Sequence, residues 1–421
     1  MNGGLSMVEM KSGYKMTEVG VIPEDWEVKN VSESCLIKAR IGWQGLKKSE
    51  YMSSGDYLLI TGTDFDNGQV NWKSCAYVSK ARYEQDSNIK IRPQDILISK
   101  DGTIGKVAYL GMIPKAGTLN SGIFVIRAND RKIDQVFLSK IFMSFYFEDF
   151  LNRLVAGSTI NHLYQKDFVK FCFPLPNSEE QAAIATALSD VDSLISALTK
   201  KIEKKKAIKQ GLMQQLLTGK KRLPGFGDVW DVVQLKRIIS EFIVPMRDKP
   251  TALTGPIPWC RIEDFDGKYL KKSLSNQGVD LNTVSKMNLK IFPVNTLLVS
   301  CSANLGRCAI VKQKLVTNQT FIGLVPSDRI DVEFLYYKMS REDKNLNNMA
   351  TGTTISYLSR EQFENYEILI PSSKAEQTSI ANILSDCDSE IAALEEKRDK
   401  YKEIKQGMMQ QLLTGKIRLI K

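Results

Sequence analysis

Histidine is almost missing from this chain: His162 is the only one in 421 residues. A single ring leaves no spare for a zinc site built on several imidazoles, and a Ser-His or Cys-His centre could form nowhere else. A lone histidine is more often a packed or solvated residue than a catalyst. Cysteine is sparse too. Seven residues (Cys35, Cys75, Cys172, Cys260, Cys301, Cys308, Cys387) with no Cys-x-x-Cys spacing read as reduced thiols, not as a disulfide framework or metal clasp. No run of about 18 apolar residues occurs and the first residues lack an apolar signal core, so a soluble cytoplasmic protein without a membrane partner is expected. Catalytic motifs are equally scarce. Gly102-Thr-Ile-Gly105-Lys106 lacks the spacing and the following hydroxyl of a phosphate-binding loop. Neither a glycine-rich S-adenosylmethionine loop nor an Asn/Asp-Pro-Pro-aromatic motif is present, so no catalytic residue, metal or bound cofactor is expected. Asp25-Trp26-Glu27-Val28-Lys29 resembles a nuclease-like acidic pair with a lysine, but it sits at the entrance to a domain.

What the chain does have is positive charge, at +10 with a pI near 9.0, on an ordinary globular composition that is 43% hydrophobic and 25% charged. An acidic partner fits that balance, and nucleic acid is the commonest one.

It also has a repeat. The stretch from Ser178 to Leu223 returns from Ser373 to Leu419 at an offset of 196 (Gln181 to Gln377), with roughly two-thirds of positions identical, which means a duplicated domain and not a solenoid. Steps of four and three pick out Ile184, Leu188, Val191, Ile195, Leu198 and Ile202, then Lys205, Lys209, Leu212 and Leu216. The second copy gives Ile380, Leu384, Cys387, Ile391 and Leu394, then Arg398, Tyr401, Lys405, Met408 and Leu412. Such heptads predict one long helix per copy, each about 60 Å long and burying a narrow stripe against a similar helix. Intramolecular antiparallel pairing is expected because tethering raises effective concentration, with homodimerisation the bland alternative. Ser178 with Gln181 and Ser373 with Glu376 have the spacing of capping boxes, while Gly219 and Gly415 stand where left-handed C-caps would end the helices.

Two globular units precede these helices. Trp26 in the first is matched by Trp230 in the second, Asp64-Phe65-Asp66 by Asp264-Phe265-Asp266, Gly105-Lys106 by Gly306-Arg307 and Asn120 by Asn318. Gly157, Thr159, Ile160, Leu163 and Phe168 return as Gly352, Thr354, Ile355, Leu358 and Phe363. Short β-branched runs such as Ile96–Ser99 and Leu297–Ser300 predict strands. A helix from Val136 to about Leu151, and its counterpart from Val332 to about Lys344, precede the last loop. The surface turns between these landmarks differ, as expected when one scaffold is applied to two targets.

The order unit, helix, unit, helix, with Ile208-Lys-Gln-Gly211 and Leu216-Leu-Thr-Gly-Lys220 repeated at 404–416 and the opening Tyr14-Lys15-x-Thr17-Glu18-x-Gly20-x-Ile22-Pro23-x-Asp25-Trp26, resembles the specificity (S) subunit of type I restriction–modification enzymes. The likeness covers nearly everything after residue 13. It implies an α+β fold, two pseudo-twofold-related mixed α/β target recognition domains separated by two long antiparallel coiled-coil helices. Residues 1–13 show no periodicity and read as a flexible tail; the resemblance divides the rest into recognition domain 1 (14–177), spacer helix 1 (178–222), recognition domain 2 (223–372) and spacer helix 2 (373–421). It also implies a non-catalytic subunit that reads the two halves of a bipartite site in double-stranded DNA. Two methyltransferase (M) subunits and the restriction (R) subunits are the implied partners, and they would carry S-adenosylmethionine, ATP and Mg²⁺. A self-sufficient two-domain DNA-binding regulator is the rival reading, and a nuclease using Asp25 or Glu27 a more distant one.

Base edges are read by local polar side chains in the grooves, and phosphates by lysine and arginine. In the first unit the candidates are Gln44, Lys47, Lys48, Lys100, Lys106, Asn120, Ser158, Thr159 and Asn161. In the second they are Arg247, Lys249, Arg261, Asn304, Arg307, Asn318, Gln319, Thr353 and Ser356. For each, a solvated turn residue is the bland alternative, and Thr159 with Thr354, which recur, are better placed to hold structure. Spacer and docking candidates are Ile184, Leu188, Ile195, Leu198, Gly211 and Leu212 in the first helix and Ile380, Leu384, Ile391, Leu394, Gly407 and Met408 in the second. The run Lys200 to Lys206 could follow the DNA between half-sites or form the solvated side of the helix pair, with Lys205 and Lys209 setting register.

Overall fold

The structure, a computed structural model, describes residues 12–42, 45–155, 162–245, 249–302, 304–350 and 357–420. It divides into two compact units, Met1–Leu198 with Lys397–Lys421, and Thr199–Glu396. The two long helices, Ser178–Leu216 and Lys374–Leu412, therefore each contribute a half to both units.

In the first unit a four-stranded antiparallel sheet runs in the order Val107–Tyr109, Ile96–Ser99, Ile123–Ala128, Cys35–Ala39. Its centre is buried on both faces, so Ile96–Ser99 reads as a continuous apolar run and not as an alternation. Ile96 and Ile98 point into a core shared with the helices, while Leu97 enters a smaller core against a three-stranded sheet. That sheet pairs Gly117–Leu119 parallel, and Ala76–Val78 antiparallel, with Tyr57–Ile60. The second unit repeats the plan. Its five-stranded sheet is ordered Ile239–Ile243, Phe321–Pro326, Leu297–Ser300, Cys308–Val311, Tyr269–Leu270, and its small sheet pairs Ile257–Cys260 parallel with Val316–Thr317. A strand just after Trp26 and one beginning at Trp230 close their units: Glu27–Asn30 pairs with Cys172–Leu175, and Trp230–Gln234 with Glu367–Pro371.

The helix expected from Val136 to about Leu151 is two helices, Gln135–Phe142 and Phe145–Val155, and its counterpart is Val332–Met339 followed by Asp343–Met349. A serine competes for the backbone at each break. Ser144 Oγ donates to the Ile141 carbonyl at 2.7 Å, and Ser340 Oγ to the Tyr337 carbonyl at 2.9 Å. In the first unit the break turns Phe147 and Phe150 into the main core.

Within each unit the early part of one long helix meets the late part of the other, which makes the pairing antiparallel. Ile184, Ala185 and Leu188 share a core with Leu412 and Leu413, as Ile380, Ala381 and Leu384 do with Leu216 and Leu217. Leu198, Ile202 and Ile391 are also buried, whereas Ile195, Leu212, Leu394 and Met408 are half-buried. The seam lysines are neutralised across the pair. Lys209 meets Asp388 at 2.5 Å and Lys205 meets Glu390 at 2.7 Å in one unit. In the other, Lys405 meets Asp192 at 2.6 Å, and Lys140 reaches the same carboxylate at 2.7 Å. Lys206 also pairs with Glu395 at 2.6 Å, so part of the basic run serves the helix pair, while Lys200, Lys201 and Lys204 are exposed. One 18-residue window of the first helix is long and apolar enough to cross a membrane, by length and composition alone. In this fold its Ile184 and Leu188 lie in the core and its Asp192 is ion-paired.

The C-caps form as expected, with φ of 69° at Gly219 and 67° at Gly415. The capping boxes do not. Asn177, one residue before Ser178, accepts the Glu180 amide at 2.9 Å. Gln181 is buried, donating to the carbonyls of Lys132 (3.0 Å) and Pro176 (2.8 Å) and accepting the Asp134 amide (2.8 Å). Gln377 repeats this with Arg329, Pro371 and Asp331. Glu376 is taken by Arg222, Nε and Nη2 each at 2.7 Å. These side chains are committed to holding each helix start inside its globular core.

Candidate nucleic-acid interface

The parallel strand pair of each unit delivers two loops to one edge. Tyr57–Ile60 and Gly117–Leu119 end at Thr61 and Asn120, and the Asn120 amide donates to the Ile60 carbonyl at 2.9 Å. Strand Ile96–Ser99 ends beside them, because the Lys100 amide donates to the Gly122 carbonyl at 2.8 Å. The chain beyond the last loop joins the cluster through the Leu163 amide, which reaches the Lys100 carbonyl at 2.8 Å. The second unit repeats these bonds, Cys301 amide to Thr320 carbonyl and Leu358 amide to Cys301 carbonyl, both at 2.8 Å.

The turn at the centre of each cluster is held from within. Ser99 Oγ donates to the Thr103 carbonyl (2.6 Å) and accepts the Lys106 amide (2.9 Å); Ser300 does the same with Asn304 and Arg307. Gly105 and Gly306 have φ of 80° and 82°. A β-carbon there would lie 2.2 Å from Leu151 Cδ1 or 2.9 Å from Asp343 Cα, so the helix packed behind each turn requires glycine.

This edge gathers Lys100, Lys106 and Asn120 in one unit and Arg261, Asn304, Arg307, Asn318 and Gln319 in the other. Asn120 also donates to the Tyr51 hydroxyl, which brings the Lys47–Tyr51 segment to the same place. Lys47, Lys48, Lys106, Asn304, Arg307 and Gln319 are exposed, and Lys249 is exposed on the segment ahead of strand Ile257–Cys260. Arg307 Nη2 is 3.3 Å from the Phe265 carbonyl, and Arg261 Nε is 3.9 Å from Glu263.

Three candidates serve the fold. Lys100 turns its amine over the Phe124 ring, 5.1 Å from the centroid, where burial lowers its pKa. Asn120 Oδ1 accepts from the Gly122 amide and Ser121 Oγ, each at 3.0 Å, and Asn318 Oδ1 accepts from Thr320 Oγ1 at 2.6 Å, so both asparagines tie turns. Gln44, Ser158, Thr159, Asn161, Arg247, Thr353, Thr354 and Ser356 lie outside the described residues. Two features escaped the sequence reading. His162 Nδ1 bonds the Asp101 carboxylate across 61 residues, a partnership no local pattern announces. Arg40, 1% exposed, donates to the Leu119 carbonyl (2.8 Å) and Thr118 Oγ1 (3.0 Å) beneath the loops.

The acidic pair near the start is otherwise engaged. Both Asp25 oxygens accept from Arg418, at 3.0 and 2.7 Å, which holds its pKa below the usual value, and Glu27 pairs with Lys29 at 2.9 Å. Among the described residues no group of three or more His, Cys, Asp or Glu side chains is arranged to hold a metal.

The cluster and its helix are thus one design built twice, as in a protein that presents two reading surfaces from one chain. The chain belongs to the family described as the type I restriction modification DNA specificity domain, whose sequence profile matches residues 23–210 and again 227–406. It is 26% identical over 418 residues to the type I restriction enzyme MjaVIII specificity subunit of Methanocaldococcus jannaschii, covering 94% of each chain. The type I restriction–modification S subunit from M. genitalium has a similar fold, with TM-score 0.60 at 16% identity, over 96% of this chain and 99% of that one. A chain from a structural study of complex assembly and conformational transition in the type I R-M system gives TM-score 0.54 at 18% identity, over 94% and 99%.

Proposed function

We propose that this chain is the DNA-specificity subunit of a type I restriction–modification complex, non-catalytic and cytoplasmic, in which each loop cluster reads one half of a bipartite site. The observation that carries this reading is the edge built twice on the same hydrogen bonds with different exposed side chains. A shared frame gives two domains one docking geometry, and different side chains give them different base preferences. S-adenosylmethionine, ATP and Mg²⁺ belong to partner subunits. The relatives' description as specificity subunits favours this reading over a self-sufficient regulator. Long-read methylation sequencing of cells expressing the cognate methyltransferase with and without this chain should return a two-part motif only when the chain is present. Methylation at the same sites without it would overturn the assignment.

The paired helices would set the spacing and receive two methyltransferase subunits. Gly211, half-buried, and Gly407, exposed, lie inside the long helices, where glycine costs about 1 kcal/mol relative to alanine. Nothing lies within 4 Å of a β-carbon built at either. One turn earlier, Ile208 and Ile404 are 45% and 41% exposed. Packing within the chain explains neither feature, whereas close approach of a partner helix explains both, and their recurrence fits two copies of one partner. Ile208→Glu with Ile404→Glu should leave the melting temperature within a few degrees of wild type but abolish co-purification with the methyltransferase. Retained co-purification would place the docking surface elsewhere.

A further inference from the structure

We propose that His162 and Tyr357 are paired base-reading side chains, each selecting one base pair in its own half-site. The proposal deepens the specificity reading above and rests on it. Duplication supplies an internal control. Where the backbone is held identically in both units, a recurring side chain maintains the frame, and an exposed one that differs is free to specify. Ser99 with Ser300, Gly105 with Gly306 and Asn120 with Asn318 fall in the first group.

The residue ahead of Leu163 and Leu358 falls in the second. Asp101 and His162 form an isolated β-bridge, and so do Ser302 and Tyr357. The next residue, Leu163 or Leu358, is 1% or 5% exposed and bonds back to the same turn through its amide. In an extended segment successive side chains alternate, so a buried leucine turns its predecessor outward. Tyr357 is 52% exposed, whereas His162 is half-buried, with 32% of its side chain open. Both are planar rings with few rotamers, which present a contact surface at low entropic cost.

Their chemistry differs as two half-sites would require. A carboxylate can only accept, so the Asp101 bond places a hydrogen on His162 Nδ1, and in the neutral ring Nε2 then keeps its lone pair. Tyr164 packs edge-on against the imidazole, with ring centroids 4.7 Å apart at 60°, and fixes its plane. A fixed acceptor in the major groove fits an exocyclic amine, cytosine N4 or adenine N6. The Tyr357 hydroxyl, which has no hydrogen-bond partner among the described residues, can donate as well as accept. Lys106 and Arg307, exposed on the adjoining turns, are placed to neutralise phosphate.

The test reads methylation motifs from cells carrying the chain with its methyltransferase. His162→Ala should relax one base position in one half-site roughly 10-fold or more, the size of a lost base contact. Tyr357→Phe should relax one position in the other half only. Asp101→Asn keeps a hydrogen-bonding group beside His162 but can either accept from Nδ1 or donate to it, so the ring hydrogen is no longer fixed and the base preference at the His162 position should weaken or change. Unchanged motifs, weakened methylation at every site alike, or both halves altered by one variant would overturn the proposal. A wild-type complex without any two-part motif would sink the specificity reading itself, whatever the variants do.

Discussion

Arg418→Ala is expected to lower the melting temperature by about 6–20 °C, the equivalent of about 3–5 kcal/mol in a unit of this size. The carboxylate of Glu180 is fully buried, and it accepts Arg418 Nε at 2.6 Å and Nη2 at 2.8 Å, with Trp26 Nε1 at 2.9 Å as its other donor. Removing the guanidinium strands a buried charge on one indole N–H, and the stranded partner sets the loss, more than the pair's own net worth. Asp25 loses its ion-pair partner too, while the Tyr14 hydroxyl still donates to the Gly415 carbonyl at 2.8 Å. Arg222→Ala should destabilise the other unit in the same direction, since Glu376 is 1% exposed and held by two bonds of 2.7 Å. Combining Glu180→Gln with Arg418→Met should recover much of the loss, because it removes both charges at once. Thermal denaturation followed by circular dichroism checks each variant. A shift under about 2 °C for Arg418→Ala would mean that Glu180 finds another donor or protonates without penalty.

Much of this architecture was legible because helices and duplication leave periodic traces. The heptads of Ile184, Leu188, Ile380 and Leu384 announced the long helices, and Gly219 and Gly415 marked their ends. What the periodicity did not show is that these residues pack into the globular cores, since an apolar stripe looks the same whatever covers it. Ser178 and Ser373 have the spacing of capping residues, but Asn177 caps the first helix in place of Ser178, and Gln181 and Glu376 are taken by partners far along the chain. Serine at 144 and 340 broke the shorter helices through a backbone bond invisible to hydrophobic pattern. The candidate edge was half legible. Composition and turn residues pointed to Lys106 and Arg307, but Lys100 faces inward and Asn120 and Asn318 tie turns, distinctions set by tertiary contacts. His162 carries no local signal, because its partner, Asp101, lies in a different loop.

The measurement that bears most directly on the central claim is exchange of residues 230–371 for the matching segment of a relative with a different target. Trp230 and Pro371 are register partners in one two-stranded sheet, so the segment enters and leaves the fold at a single place. The long helices keep their sequence, and so do the Gly211 and Gly407 positions proposed to receive the methyltransferase. Choosing a relative that keeps tryptophan at the first position preserves the stacking of Arg222, 5.8 Å from the Trp230 ring. Long-read methylation sequencing of cells carrying the exchanged chain should show one half of the motif replaced by the donor's, with the other half unchanged. A motif altered in both halves, or one that keeps both original halves, would contradict two independent reading surfaces on a shared pair of helices.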